Sequence, residues 1–187
     1  MKKTKTKTKL YIIPGWGEKI TGKNYQNLIN SVKDKYTVIP VEYISAENQS
    51  LSENIKQARS QIIKPSSKDI ILGFSVGALI AYQLASKIKF KLAVICSISS
   101  VLEKDLLLYP KKEVEKIFNP AQIKELNKMS YGHPISPIIL FYGALETPQV
   151  IKRSQKLHKR LGGNLISVGK CQHQLSGDYL EAVKKQL

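Results

Sequence analysis

The chain has 187 residues, 42% hydrophobic and 24% charged, the size and balance of one globular domain that can bury a core without staples. Its two cysteines exclude a disulfide scaffold and form no CxxC pair for a structural zinc site, and no apolar run nears the roughly 20 residues of a membrane helix. Net charge is +16, yet only Arg59, Arg153 and Arg160 among the 30 basic residues carry the planar fork that specific phosphate and base recognition favours, so the lysines read as a solvated surface and no nucleic-acid partner is expected.

Residues 1–9 alternate Lys with Thr and are expected to form a disordered tail. The apolar stretch after it, Leu10–Ile13, runs into Pro14 and is too short for a signal-peptide core, so a reducing cytoplasm is the expected location. Residues 10–187 then read as one domain. Leu10–Ile13 is a buried strand stopped by Pro14-Gly15. Asn24–Val32 has helical spacing, with Tyr25, Leu28, Ile29 and Val32 on one face. Thr37–Val41 is a second strand, and Pro40 marks it as an edge or strand end. Ser50–Ile63 is a helix opened by a capping box of Ser50 and Glu53. Asp69–Leu72 is a third strand and Val76–Ile88 an apolar helix. Lys91–Cys96 and Pro137–Tyr142 are the fourth and fifth strands. Between them, residues 97–133 offer only short helical pieces, Val101–Tyr109, Lys111–Phe118 and Ala121–Met129, and read as a small helical insertion. Gln149–Leu161 is a helix stopped by Gly162-Gly163. Leu165–Val168 is a sixth strand, and Leu175–Leu187 closes the chain as a helix. Short apolar strands alternating with helices predict an α/β fold, with a mostly parallel six-stranded sheet covered on both faces.

Gly73-Phe74-Ser75-Val76-Gly77 falls between a predicted strand and a predicted helix. A serine on so sharp a turn is forced into a strained backbone, and small residues two before and two after let the chain fold back on itself. The hydroxyl then stands above the strand ends at a helix N-terminus, where developing negative charge is favoured. A serine needs a base to become a nucleophile, and the chain offers three histidines. His158 lies among Lys156, Lys159 and Arg160 and reads as a surface residue. His173 follows the last strand, and strand C-terminal ends in a parallel sheet all face one side, so His173 is the expected base and His133 the fallback. Glu146, after the fifth strand, is the only acid between Leu126 and Asp178 and the expected partner of the histidine; Glu103 and Asp105 are rivals. The backbone N–H of Val76 and that of Trp16, in the loop Pro14-Gly15-Trp16-Gly17, are the expected oxyanion donors.

With these motifs in place, residues 10–187 resemble the α/β-hydrolase superfamily, in which nucleophile, acid and histidine follow in that chain order. The Pro-Gly-Trp-Gly loop is similar to the His-Gly-Trp-Gly loop of pimeloyl-carrier-protein methyl esterases, and the short chain to the small retinoblastoma-binding-protein-like serine hydrolases. Pro14 stands where many members have His, Glu146 where Asp is commoner, and Cys171-Gln172 where Gly usually precedes the histidine. The resemblance implies ester hydrolysis through an acyl-enzyme on Ser75, without a cofactor or metal, and the short apolar insertion, with little cover for a long chain, points to small or medium acyl groups. A lactone, an acyl-homoserine lactone included, would suit the same parts, as would a thioester or a carrier-bound ester; an inactive binding module is the reading from another class. Trp16, Leu106 and Tyr109 are the expected substrate-binding residues, the last two on the insertion acting as a small lid. Cys96 and Cys171 are outside the elbow and read as buried free thiols.

Overall fold

In a computed structural model, which describes residues 7–44, 49–98, 110–117, 120, 123–125 and 132–187, six strands pair in parallel in the order β2-β1-β3-β4-β5-β6. These strands are β1 (Lys9–Ile13), β2 (Thr37–Pro40), β3 (Ile70–Phe74), β4 (Leu92–Cys96), β5 (Ile138–Gly143) and β6 (Asn164–Val168). Among the described residues, the helices that join them include α1 (Lys23–Val32), α2 (Leu51–Gln61), α3 (Val76–Ala85), α4 (Lys111–Ile117), α5 (Pro148–Leu161) and α6 (Gly177–Lys184). Among the described residues, none forms a helix long and apolar enough to cross a membrane.

The pleat sends alternate side chains to opposite faces, and two separate cores follow from it. Tyr11, Ile13, Ile71, Ile95 and Leu140 pack on one face against α2, α3 and Leu157 of α5. Leu10, Ile12, Ile70, Leu72, Val94 and Phe141 pack on the other against Leu28 of α1 and Tyr179, Leu180 and Val183 of α6. Every residue of α3 is buried, which is why that helix is apolar on all sides. Pro40 ends the edge strand β2, where a missing N–H is tolerated. The capping box of α2 forms: Ser50 Oγ accepts from the Glu53 amide at 3.1 Å, and a Glu53 carboxylate oxygen accepts from the Ser50 amide at 2.8 Å.

Several boundaries move from their expected places. β1 starts inside the Lys/Thr stretch, because the Lys9 amide donates to Asp69 at 3.0 Å and the Thr37 amide to Thr8 at 3.0 Å. β3 runs on through Gly73 and Phe74, which pair with Ile95 and Cys96 of β4. The last helix begins at Gly177, because Ser176 is extended at φ −145°. In the insertion, α4 accounts for the expected helix at Lys111, while Val101–Tyr109 and most of Ala121–Met129 lie outside the described residues.

β1 and β3 are neighbours, and the chain leaves them in opposite directions, toward β2 on one side and toward β4 to β6 on the other. Loops that leave the C-terminal ends of such a pair diverge and open a crevice, the usual ligand position in an open parallel sheet. The loop Pro14–Gly17 leaves β1 and Ser75 leaves β3, so both border that crevice.

Candidate active site

Ser75 caps α3 with φ 55° and ψ −118°, a left-handed conformation that costs an L-residue about 1–3 kcal/mol. The surroundings enforce it. The Ser75 amide continues the β3–β4 ladder by donating to the Cys96 carbonyl at 2.9 Å, and the Ser75 carbonyl already accepts from Ala78 at 3.1 Å as α3 begins. Strand and helix therefore meet at one residue. A Cβ on Gly73 would lie 2.2 Å from the Gly77 carbonyl oxygen, and one on Gly77 would lie 2.2 Å from the Pro14 carbonyl oxygen. The first contact makes the tight turn; the second seats the start of α3 directly against the loop after β1. Val76 is the first residue of α3, so its N–H belongs to the initial turn that lacks intrahelical acceptors.

His173 Nε2 lies 2.9 Å from Ser75 Oγ, and its Nδ1 lies 2.9 Å from Glu146 Oε2. With Nδ1–H donating to the carboxylate, the Nε2 lone pair faces the serine hydroxyl, the arrangement a general base needs. The Glu146 side chain has no exposed surface, whereas that of His173 is 41% exposed, so a buried anion backs an imidazole open to the crevice. A buried carboxylate demands donors, and Glu146 Oε1 has two beyond the histidine. The Gly143 amide donates to it at 2.8 Å, and the Ser97 hydroxyl donates to it as well. Ser97 Oγ in turn lies 2.7 Å from the Tyr179 hydroxyl. Burial pushes the Tyr179 phenol well up, so it stays protonated behind the carboxylate.

The acid and histidine loops are tied together through Cys171. Its carbonyl accepts from the Leu145 amide at 2.9 Å, and a Cβ on Gly143 would come within 2.3 Å of the same oxygen. Phe74 lies beside the imidazole, its ring centroid 5.1 Å from that of His173 and tilted by 44°. Pro14–Gly17 is held from several sides: the Gly15 amide donates to Glu18 at 2.9 Å and to the Tyr25 hydroxyl at 3.0 Å, and the Tyr43 hydroxyl donates to the Pro14 carbonyl at 3.3 Å. A cleft of about 360 Å³, lined by Pro14, Glu18, Lys19, Thr21, Glu42 and Tyr43, borders this loop.

The structure thus brings Ser75, Glu146 and His173 into one hydrogen-bonded chain and seats Val76 beside the Trp16 loop. His133 is not near them. Its neighbours Gly132 and Ile135 bond to Tyr82 and Ala85, toward the far end of α3 from Ser75. His158 sits in the last turn of α5, half-buried rather than solvated. Trp16 is partly buried against the α3-side core. Cys96 is buried as expected, and burial pushes its thiol up, but Cys171 is only partly buried. Leu106 and Tyr109, like the rival acids Glu103 and Asp105, lie outside the described residues. The sequence does not single out Ser97, Tyr179, Glu18 or Tyr25 as site residues: each is a lone polar group or an apolar-face tyrosine with no motif around it. Among the described residues, no cluster of His, Cys, Asp and Glu could hold a metal ion.

No protein-family model and no curated protein matches the sequence. Solved structures do. Est1E from Butyrivibrio proteoclasticus with ferulic acid bound is similar at a TM-score of 0.77 and 12% identity, over 97% of this chain and 86% of that one. Alpha/beta hydrolase domain-containing protein 10 from mouse is similar at a TM-score of 0.77 and 14% identity, over 97% of this chain and 89% of that one. Naproxen esterase (carboxylesterase NP) from Bacillus subtilis is similar at a TM-score of 0.62 and 15% identity, over 96% of this chain and 82% of that one. The chain has the α/β-hydrolase fold.

Proposed function

We propose that the protein is a serine hydrolase of carboxylic esters of small to medium acyl length. The observation that carries this reading is the chain of two 2.9 Å contacts from Ser75 Oγ through His173 to the buried carboxylate of Glu146. In this reading Ser75 Oγ attacks the ester carbonyl carbon while His173 Nε2 takes the hydroxyl proton. The carbonyl oxygen becomes an oxyanion held by the amides of Val76 and Trp16. Collapse of the tetrahedral intermediate expels the alkoxide leaving group, which receives the proton from His173, and leaves an acyl-Ser75 ester. Water then loses a proton to His173 and attacks the acyl carbon. The second collapse returns that proton to Ser75 and releases the acid. Glu146 stays ionised throughout and steadies the imidazolium. The fold shared with Est1E and with naproxen esterase supports an ester as the substrate class.

The test is turnover of a p-nitrophenyl ester series of rising acyl length by the wild type and by Ser75→Ala. The expected result is turnover that falls at least about a thousandfold in Ser75→Ala with the melting temperature kept. Full-length folded protein that turns over no ester and takes no fluorophosphonate label would sink the reading. Label without ester turnover would move the substrate to a lactone, a thioester or a carrier-bound ester.

A further inference from the structure

We infer that Glu18 and Tyr25 are positioning residues that clamp the Gly15 amide and so aim the next amide of the loop, that of Trp16, at the transition-state oxyanion. This inference rests on the reading of Ser75 as a nucleophile. Gly15 N–H has two acceptors, Glu18 Oε2 at 2.9 Å and the Tyr25 hydroxyl at 3.0 Å. The Tyr25 hydroxyl itself donates to the same Glu18 oxygen at 2.5 Å. One carboxylate oxygen therefore gathers two donors, and bonds of this charge-assisted kind are about twice as strong as neutral ones. The Glu18 amide closes the turn from the other side by donating to the Gly15 carbonyl at 3.2 Å.

The clamp is anchored in the body of the protein. Tyr25 is buried in the core between the sheet, α1 and α6, so its hydroxyl is a fixed point rather than a mobile one. Burial and the Glu18 charge push its phenol far up, which keeps it a donor. Pro14 has no N–H of its own, so Gly15 carries the first amide by which the loop can be held. The clamp also dictates the residue at 15, because a Cβ there would lie 2.5 Å from Glu18 Oε2. Since Gly15 N–H is turned toward Glu18 and Tyr25, it does not serve the crevice, and the loop's oxyanion donor falls to the amide after it. Gly17, at φ 70°, completes the turn beyond Trp16.

Trp16 is the single tryptophan of the chain, so its fluorescence reads the loop without any substrate. Glu18→Ala and Tyr25→Phe should raise acrylamide quenching of Trp16 about twofold. On an ester, both should lower kcat about 10- to 100-fold with KM nearly unchanged, less than the roughly 100- to 1000-fold cost of losing an oxyanion donor outright, because the Trp16 amide is misaimed rather than removed. Affinity for a trifluoromethyl ketone, whose adduct with Ser75 carries the oxyanion, should fall by the same factor as kcat/KM. Glu18→Gln, whose amide oxygen still accepts, should recover most of the activity. Unchanged quenching and unchanged kcat would overturn the clamp. Raised quenching with unchanged kcat would overturn its positioning role, and a loss in KM alone would do the same. A melt that collapses in Glu18→Ala leaves Tyr25→Phe, which keeps the ring and its packing, to decide. Wild-type protein inert to esters and to fluorophosphonate would fail the hydrolase reading, while the quenching comparison would still decide whether the clamp holds the loop.

Discussion

The hydroxyl of Ser97, just past the end of β4, donates a hydrogen bond to the carboxylate of Glu146, past the end of β5. Ser97 sits there at φ 48°, a left-handed backbone held by its own amide bond to the Phe141 carbonyl at 2.8 Å. A fully buried carboxylate is thus oriented by a neighbouring strand end and, one step further, by the Tyr179 hydroxyl of α6. Hydrogen bonds to a charged group are worth about 1.5–3 kcal/mol. Ser97→Ala is expected to lower kcat/KM about tenfold and the melting temperature by about 5 °C. Tyr179→Phe, which removes only the second donor in line, is expected to do less of both. Ester kinetics and thermal melts of the two variants check this; an unaltered Ser97→Ala would mean that Gly143 and His173 alone fix the acid.

Ser75 trades stability for its position. Its φ of 55° and ψ of −118° suit glycine, and the strain is of order 1–3 kcal/mol. Ser75→Gly is expected to abolish ester turnover and to raise the melting temperature by about 3 °C or more, at roughly 2–4 °C per kcal/mol for a chain of this size. Calorimetry on the variant reads this directly. A lowered melting temperature would show that the hydroxyl's bond to His173 outweighs the backbone strain.

Alkaline stability follows from the buried phenols. Tyr25, Tyr82 and Tyr179 are all pushed above the ordinary 10.0, with burial the leading cause. Cys96 is pushed up from 9.0 in the same way. Each neutral form is favoured in the folded chain, so the stability it contributes is fully present below the unfolded value. It is lost as pH rises from there toward the folded value, because unfolding lets the group ionise. The melting temperature is expected to begin falling above pH 9 and to fall steeply above pH 10, the ordinary values of the thiol and the phenols. Thermal melts across that range, followed by circular dichroism, check the slope. A flat profile to pH 11 would contradict it.

The fold was legible because its signals are local. Short apolar runs bounded by Gly, Pro and Ser mark each strand, and Ser50 with Glu53 marks the start of α2. The elbow was legible because two glycines at fixed offsets from Ser75 answer one steric demand, now visible as the contacts of Gly73 with Gly77 and of Gly77 with Pro14. The shared side of the strand C-terminal ends then pointed to Glu146 and His173. Other features depend on tertiary context. Gly73 and Phe74 read as lying beyond the end of the third strand, but the ladder to β4 carries them. Tyr25 reads as part of an apolar helix face and Tyr179 falls within the last helix; both pack in the core, and spacing says nothing about where a hydroxyl ends. Ser97 and Glu18 are single polar residues in loops, and only their distances to Glu146 and Gly15 give them a part.

The sheet also imposes a length. Ser75 leaves β3 and His173 follows β6, three strand positions away, or about 14 Å at the usual spacing. The imidazole nevertheless reaches the hydroxyl, so residues 169–173 must carry it back over the ends of β5 and β4. The Cys171 carbonyl, fastened to Leu145, is a pier midway. This stretch has a span to cover and turns at Lys170, whose φ is 58°, on the way. Lengthening or shortening it between Val168 and His173 moves the imidazole relative to the serine, whereas the turns at the opposite end of the sheet answer to no such distance.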